Sequence, residues 1–132
     1  MMDINDDKFE KYTIEAQERW GKTPTYEEYK KKTKNYTKDD WNSLENGMNL
    51  IFQEFSLCVK DGLKAETPKV MMLVKKLQDF ITKNYYLCTN DILLGLGQMY
   101  VVDERFASNI DKNGEGTALF VFEAIKFYCS HL

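Results

Sequence analysis

Apolar residues along this chain recur every three to four positions, and no segment shows the strict alternation that marks a half-buried strand. The spacing predicts five substantial helices and one short one. Residues 5–20 set Phe9, Tyr12, Ala16 and Trp20 on one stripe, which Gly21 stops. Residues 24–34 open with a Thr23 cap and Pro24 in the first turn, and their apolar face is only Tyr26, Tyr29 and Thr33. Residues 38–62 carry Thr37 as cap, Asp39 and Asp40 in the first turn and Gly62 as terminator. On that helix Trp41, Leu44, Met48, Ile51, Phe52, Phe55, Cys58 and Val59 share a face, which assigns Cys58 to the core.

The loop "LKAETP" then leads to a helix over 68–85, with Val70, Leu73, Val74, Leu77, Phe80 and Ile81 inward. Segments 90–102 and 115–131 are apolar almost all round, the pattern of helices sandwiched at the centre of a bundle, and Cys129 falls in that core. The expected fold is therefore all-α, a single compact domain spanning 1–132. Its two parts are unequal. Residues 1–36 offer aromatic anchors on a charged frame, whereas 37–132 carry an aliphatic core. Ordering a backbone costs about 1–2 kcal/mol per residue, so residues 1–36 are expected to be the mobile part and to hold only by docking.

Composition narrows the function. At 132 residues, 43% hydrophobic and 30% charged, the chain suits a soluble globular domain. No apolar run is long enough to span a bilayer, and the polar start "MMDINDDKFE" is not a signal peptide, so a cytoplasmic location is expected. The net charge is −3, and the one basic cluster, Lys30, Lys31, Lys32 and Lys34, is flanked by Glu27, Glu28, Asp39 and Asp40. That run reads as a solvated helix end, and direct nucleic-acid binding is not expected. Three widely spaced cysteines, 58, 88 and 129, fit reduced thiols rather than a disulfide framework. Without a CxxC, and with His131 as the single histidine, no structural zinc, haem or Ser-His-Asp chemistry is expected. The chain reads as a non-enzyme without metal or cofactor.

Three stretches could still carry a site. "DKNGEGTALFVF" (111–122) begins like a calcium loop, but its twelfth position is Phe122 instead of a bidentate carboxylate, so it reads as a glycine-containing turn. "GLG" (95–97) lies within a helix and implies close approach of another helix or of a ligand. In "NYYLCTND" (84–91) Cys88 stands just ahead of a helix whose cap is Thr89 or Asn90. A thiol at a helix N-terminus is expected to have a lowered pKa, although Asp91 opposes this, and a plain packing cysteine is the alternative.

The motifs "ERWG" (18–21), "KKTKNYTKDDW" (31–41), "YYLC" (85–88) and "LGQMYVVDERFASNID" (96–111) resemble, in that order, the TipAS family, the antibiotic-recognition domains of some MerR-type regulators. The resemblance spans about residues 10 to 131. It implies a globin-like helical arrangement with a ligand cleft, thiopeptide antibiotics of the thiostrepton type as ligands, and N-terminal helices that close over the drug. In thiopeptide binders a cysteine ahead of the "LG-x-MY" helix adds to a dehydroalanine of the drug, and Cys88 matches it. Flat azole rings want aromatic and apolar walls, for which Trp20, Tyr26, Tyr36, Trp41, Tyr86, Met99, Tyr100 and Phe106 are the candidates. The sequence departs from many members at Tyr85 and at Ile92-Leu93, positions that often hold imidazoles. The winged-helix and coiled-coil regions of the full regulators are not expected among these residues. The expectation is a monomeric domain that sequesters an antibiotic. The sensor half of a drug-responsive activator and a helical oligomerisation module are the alternatives.

Overall fold

The computed structural model describes residues 24–130, which form six helices with no strand among them. They are α1 (Pro24–Thr33), α2 (Lys38–Lys60), α3 (Pro68–Asn84), α4 (Asn90–Val102), α5 (Glu104–Asp111) and α6 (Thr117–Ser130). The helix expected over 5–20, with Trp20, lies outside the described residues.

Helix α2 is bounded as its sequence dictates. The Thr37 hydroxyl accepts from the Asp40 N–H at 3.1 Å while the Asp40 carboxylate accepts from the Thr37 N–H at 2.9 Å, a reciprocal cap. At the far end Gly62 takes a φ of +72°, and the Leu63 N–H reaches the Cys58 carbonyl while that of Gly62 reaches Val59. This closure turns the chain back into α3. The two helices lie side by side, bridged at the surface by Lys76 and Glu54 at 2.8 Å.

Helix α6 is the hub, touching α2, α3, α4 and α5. Its Val121, Ala124, Ile125 and Thr117 are fully buried, beside Phe55, Leu77, Val70, Val74 and Leu93 from its neighbours. Burying each large aliphatic or aromatic side chain contributes about 1.5–3 kcal/mol, which is why the fold centres here. Helix α4 is less enclosed than its composition suggests. Leu94 and Val102 are exposed, as is Leu119 on α6, so the expectation of two fully sandwiched helices holds for one side of α4 only.

Helix α5 was not among the expected elements. Asp103 starts it, accepting from the Arg105 N–H at 2.9 Å and pairing with the Arg105 guanidinium at 2.7 Å. That hydrogen bonding holds the Asp103 carboxyl below its ordinary pKa. Eight residues with one buried side chain, Ile110, give too short a periodic signal to stand out from a loop. The turn after it is structural. Asp111 accepts from the Ala118 N–H at 2.9 Å, and Ser56 of α2 donates to the Asn113 carbonyl at 2.6 Å.

The two glycines of "GLG" differ. A Cβ on Gly97 would stand 3.0 Å from Ile125 Cδ1 and 3.1 Å from Phe122 Cδ1, whereas one on Gly95 would meet nothing within 4 Å. Close approach of α6 explains Gly97 alone. Gly97→Val should therefore destabilise the fold by about 1–3 kcal/mol through overpacking. Gly95→Ala should stabilise it by about 0.5–1 kcal/mol, because alanine is the better helix former in open space. Urea unfolding of the two variants measures both signs.

Candidate functional site: the turn around Cys88

Helix α3 ends without a glycine. The Tyr85 and Tyr86 N–H groups both reach back to the Ile81 carbonyl, at 2.9 and 3.2 Å, and Asn84 caps the Phe80 carbonyl with its side chain at 2.9 Å. Thr89 then opens α4, its hydroxyl accepting from the Ile92 N–H at 3.2 Å. Residues 85–88 between the two helices are held by side chains from elsewhere. The Leu87 N–H donates to Glu28 of α1 at 2.9 Å, and the Cys88 N–H donates to the Thr82 hydroxyl at 3.0 Å.

Around this turn the aromatic residues gather. Tyr85 stacks on Trp41 with ring centroids 6.2 Å apart and on Tyr29 at 6.4 Å, and meets Phe80 edge-on at 6.4 Å. Tyr29 also stacks on Tyr26 at 6.1 Å and meets the edge of Tyr86 at 6.3 Å, while Tyr36 meets Trp41 edge-on at 5.3 Å. Polar contacts fasten α1 and its following turn to the same place: Lys32 donates to the Thr82 carbonyl and Tyr36 to that of Asn84. Apart from buried Tyr26, the rings are only partly covered, and Leu87 beside them is exposed. Such edge-to-face and offset pairs suit aromatic quadrupoles.

The sequence-predicted residues divide into two groups. Tyr26, Tyr36, Trp41 and Tyr86 belong to the cluster just described. Tyr100 instead is buried in the core, edge-on to Phe52 at 5.7 Å and tilted against Phe106 at 5.8 Å, with Met99 and Phe106 half-buried nearby. Trp41 and Phe52 are eleven residues apart on α2, about 16 Å at 1.5 Å per residue, so the groups lie well apart. Sequence reasoning missed Tyr29 and Tyr85, the rings at the centre of the cluster. The adjacent tyrosines at 85–86, and Tyr29 one turn after Tyr26, were the available signal.

Cys88 corrects an expectation. Its side chain is 3% exposed and belongs to the core cluster. Burial pushes the thiol up to about 12, with Cys129 adding to the rise, where the helix N-terminus was expected to lower it. Cys88 precedes the cap and packs into the core, where burial disfavours the charged form, and its sulfur lies 3.8 Å from the Thr89 carbonyl oxygen. At neutral pH such a thiol is almost wholly protonated. Cys58 is buried as expected, and burial raises its thiol too. Cys129 is only partly buried and donates to the Asn90 carbonyl at 3.4 Å.

Burial also holds the Tyr85 and Tyr86 hydroxyls above the ordinary phenol range, with smaller contributions from Tyr29 beside Tyr85 and from Cys88 beside Tyr86. All three groups bind their protons more tightly folded than unfolded. Their stabilising contribution is complete below the unfolded pKa, near 9 for the thiol, and is lost as pH rises toward 12. Denaturant midpoints should accordingly fall between pH 9 and pH 11. Cys88→Ser and Tyr85→Phe should each flatten that fall.

Among the described residues no group of three or more His, Cys, Asp or Glu side chains could hold a metal ion, and no helix is long and apolar enough to cross a membrane. Known proteins resemble this chain along most of its length. The sequence profile of the TipAS antibiotic-recognition domain matches residues 12–128. The HTH-type transcriptional activator mta of Bacillus subtilis is 35% identical over 131 residues, covering 99% of this chain and 49% of that protein. The HTH-type transcriptional activator TipA of Streptomyces coelicolor is 34% identical over 116 residues, covering 88% of this chain and 46% of its own length. The chain thus spans about half the length of the curated relatives it matches. A solved structure of TipAS from Streptomyces lividans, in complex with the thiopeptide antibiotic nosiheptide, superposes with a TM-score of 0.81 at 33% identity. That match covers 92% of this chain and 85% of the other.

Proposed function

We propose that this chain, which belongs to the TipAS family of antibiotic-recognition domains, binds thiopeptide-like antibiotics at the aromatic surface around residues 85–88. One observation carries the reading: rings from α1, from the turn after it, from α2 and from the α3–α4 turn converge on Tyr85. Partly exposed aromatic rings held by a rigid scaffold provide apolar contact area at little entropic cost, which suits flat azole rings. Half-buried Met99 and Phe106, farther along, serve as a second contact for an extended ligand, whereas Tyr100 supports them from the core. Of the described residues, 24–36 act as the movable part and 37–130 as the fixed body. This agrees with α1 burying a single side chain, Tyr26, and resting on polar and aromatic contacts.

Recognition on this reading is non-covalent first. Cys88 then adds across the dehydroalanine double bond of a thiostrepton-type drug: the carbon–sulfur bond forms as the alkene π bond breaks, and the thiol proton ends on the α-carbon. With the thiol buried and raised to about 12, that step requires the turn to open and is slow. The protein works as a stoichiometric binder rather than a turnover catalyst.

Titration with nosiheptide, followed by tryptophan fluorescence and by calorimetry, should give saturable binding. Tyr85→Ala or Trp41→Phe should weaken it roughly tenfold or more, the scale of an aromatic hot spot, and Phe106→Ala less. Intact-mass spectrometry with thiostrepton should show an adduct that accumulates over hours, faster at pH 9 than at pH 7, and absent in Cys88→Ser. Absence of saturable binding to either drug would sink the proposal.

A second reading has its own support. The relatives that the chain half covers are transcriptional activators, so binding here serves as the input of a drug-responsive switch. Drug-dependent slowing of hydrogen exchange in residues 24–36, with 70–84 unchanged, would provide the conformational signal such a switch needs.

A further inference from the structure

The backbone of Cys88 is gripped at both ends by one helix. Its N–H donates to the Thr82 hydroxyl at 3.0 Å, and its carbonyl accepts from the Gln78 amide at 2.8 Å. Gln78 and Thr82 are four residues apart on α3 and so share a face. The Gln78 amide is itself fixed in orientation. It donates a second time, to Asn90 Oδ1 at 2.9 Å, and its oxygen accepts from the Tyr128 hydroxyl of α6 at 2.9 Å. Donors and acceptor are each engaged, so the amide cannot flip without losing all three bonds.

A residue pinned at both its N–H and its C=O has little freedom to rotate about its own axis, and its Cβ direction follows from the backbone. We propose that Gln78 and Thr82 are positioning residues for Cys88: together they turn the thiol into the core and set how often it swings out. The proposal deepens the reading of Cys88 as the attachment point, and it names the groups that govern when the thiol becomes available. Gln78 and Thr82 do not stand out in the sequence, where both fall outside the apolar set Val70, Leu73, Val74, Leu77, Phe80 and Ile81. Buried thiols react through local opening, so the reaction rate reports the clamp directly.

The test uses the full chain and iodoacetamide, with no antibiotic present, and quantifies alkylation at each cysteine by peptide mass spectrometry. Cys58, buried in α2 of the same core, reports opening of the fold as a whole. Removing the clamp by Gln78→Met or Thr82→Val should speed alkylation of Cys88 about tenfold or more while Cys58 stays at its original rate. Thr82→Ser, which keeps the hydroxyl, should restore the original Cys88 rate. Tyr128→Phe removes only the hydroxyl that orients the amide and should give a smaller increase, and it stands in for Gln78→Met should that variant not fold. Parallel acceleration at Cys58 and Cys88, or an unchanged Cys88, would overturn the proposal. Because no drug is used, a failed clamp leaves antibiotic binding untouched, and failed antibiotic binding leaves the clamp result standing.

Discussion

A chain that leaves one helix and enters another within a few residues must find partners for backbone groups that neither helix satisfies. Between α3 and α4 those partners are side chains: Thr82 and Gln78 from the helix just completed, and Glu28 from α1. The turn can therefore be short, with Tyr85 held stacked on Trp41 and Tyr86 held edge-on to Tyr29. The aromatic surface exists because the backbone beneath it is fixed. The same bonds bring α1 to this turn, so α1's placement and the thiol's orientation are two consequences of one arrangement.

Stability is distributed unevenly around that turn. Helix α6 and its neighbours bury the large aliphatic and aromatic side chains, and this is where the hydrophobic contribution is concentrated. Helix α1 adds one buried residue, Tyr26, together with ring contacts and a few hydrogen bonds. Hydrogen bonds such as that from the Leu87 N–H to Glu28 contribute modestly net of solvent. An element attached in this way adds less to stability than the helices packed around α6.

The thiol shows the opposite compromise. Packed against the core, Cys88 contributes apolar contact and is shielded from adventitious oxidation, but its raised pKa leaves almost none of it as nucleophile at neutral pH. A helix N-terminus lowers a thiol's pKa only when the sulfur faces the free N–H groups, and here it faces a carbonyl. Position along the chain was suitable and orientation was not.

What the sequence determined by itself was whatever depends on neighbours within a few residues. The reciprocal Thr37–Asp40 cap, the Gly62 closure, and the inward faces of α2 and α3 follow from 3.6-residue periodicity and local hydrogen bonding, and they stand where the pattern put them. The spaced motifs carried the family as well. Helix α5 escaped because eight residues with one buried side chain give periodicity too little to work on. Only the tertiary structure could separate Tyr100 from Trp41, bring Tyr29 against Tyr85, and turn the sulfur of Cys88 inward. Each of these is set by contacts between helices tens of residues apart in sequence, and such contacts leave no periodic trace in the chain.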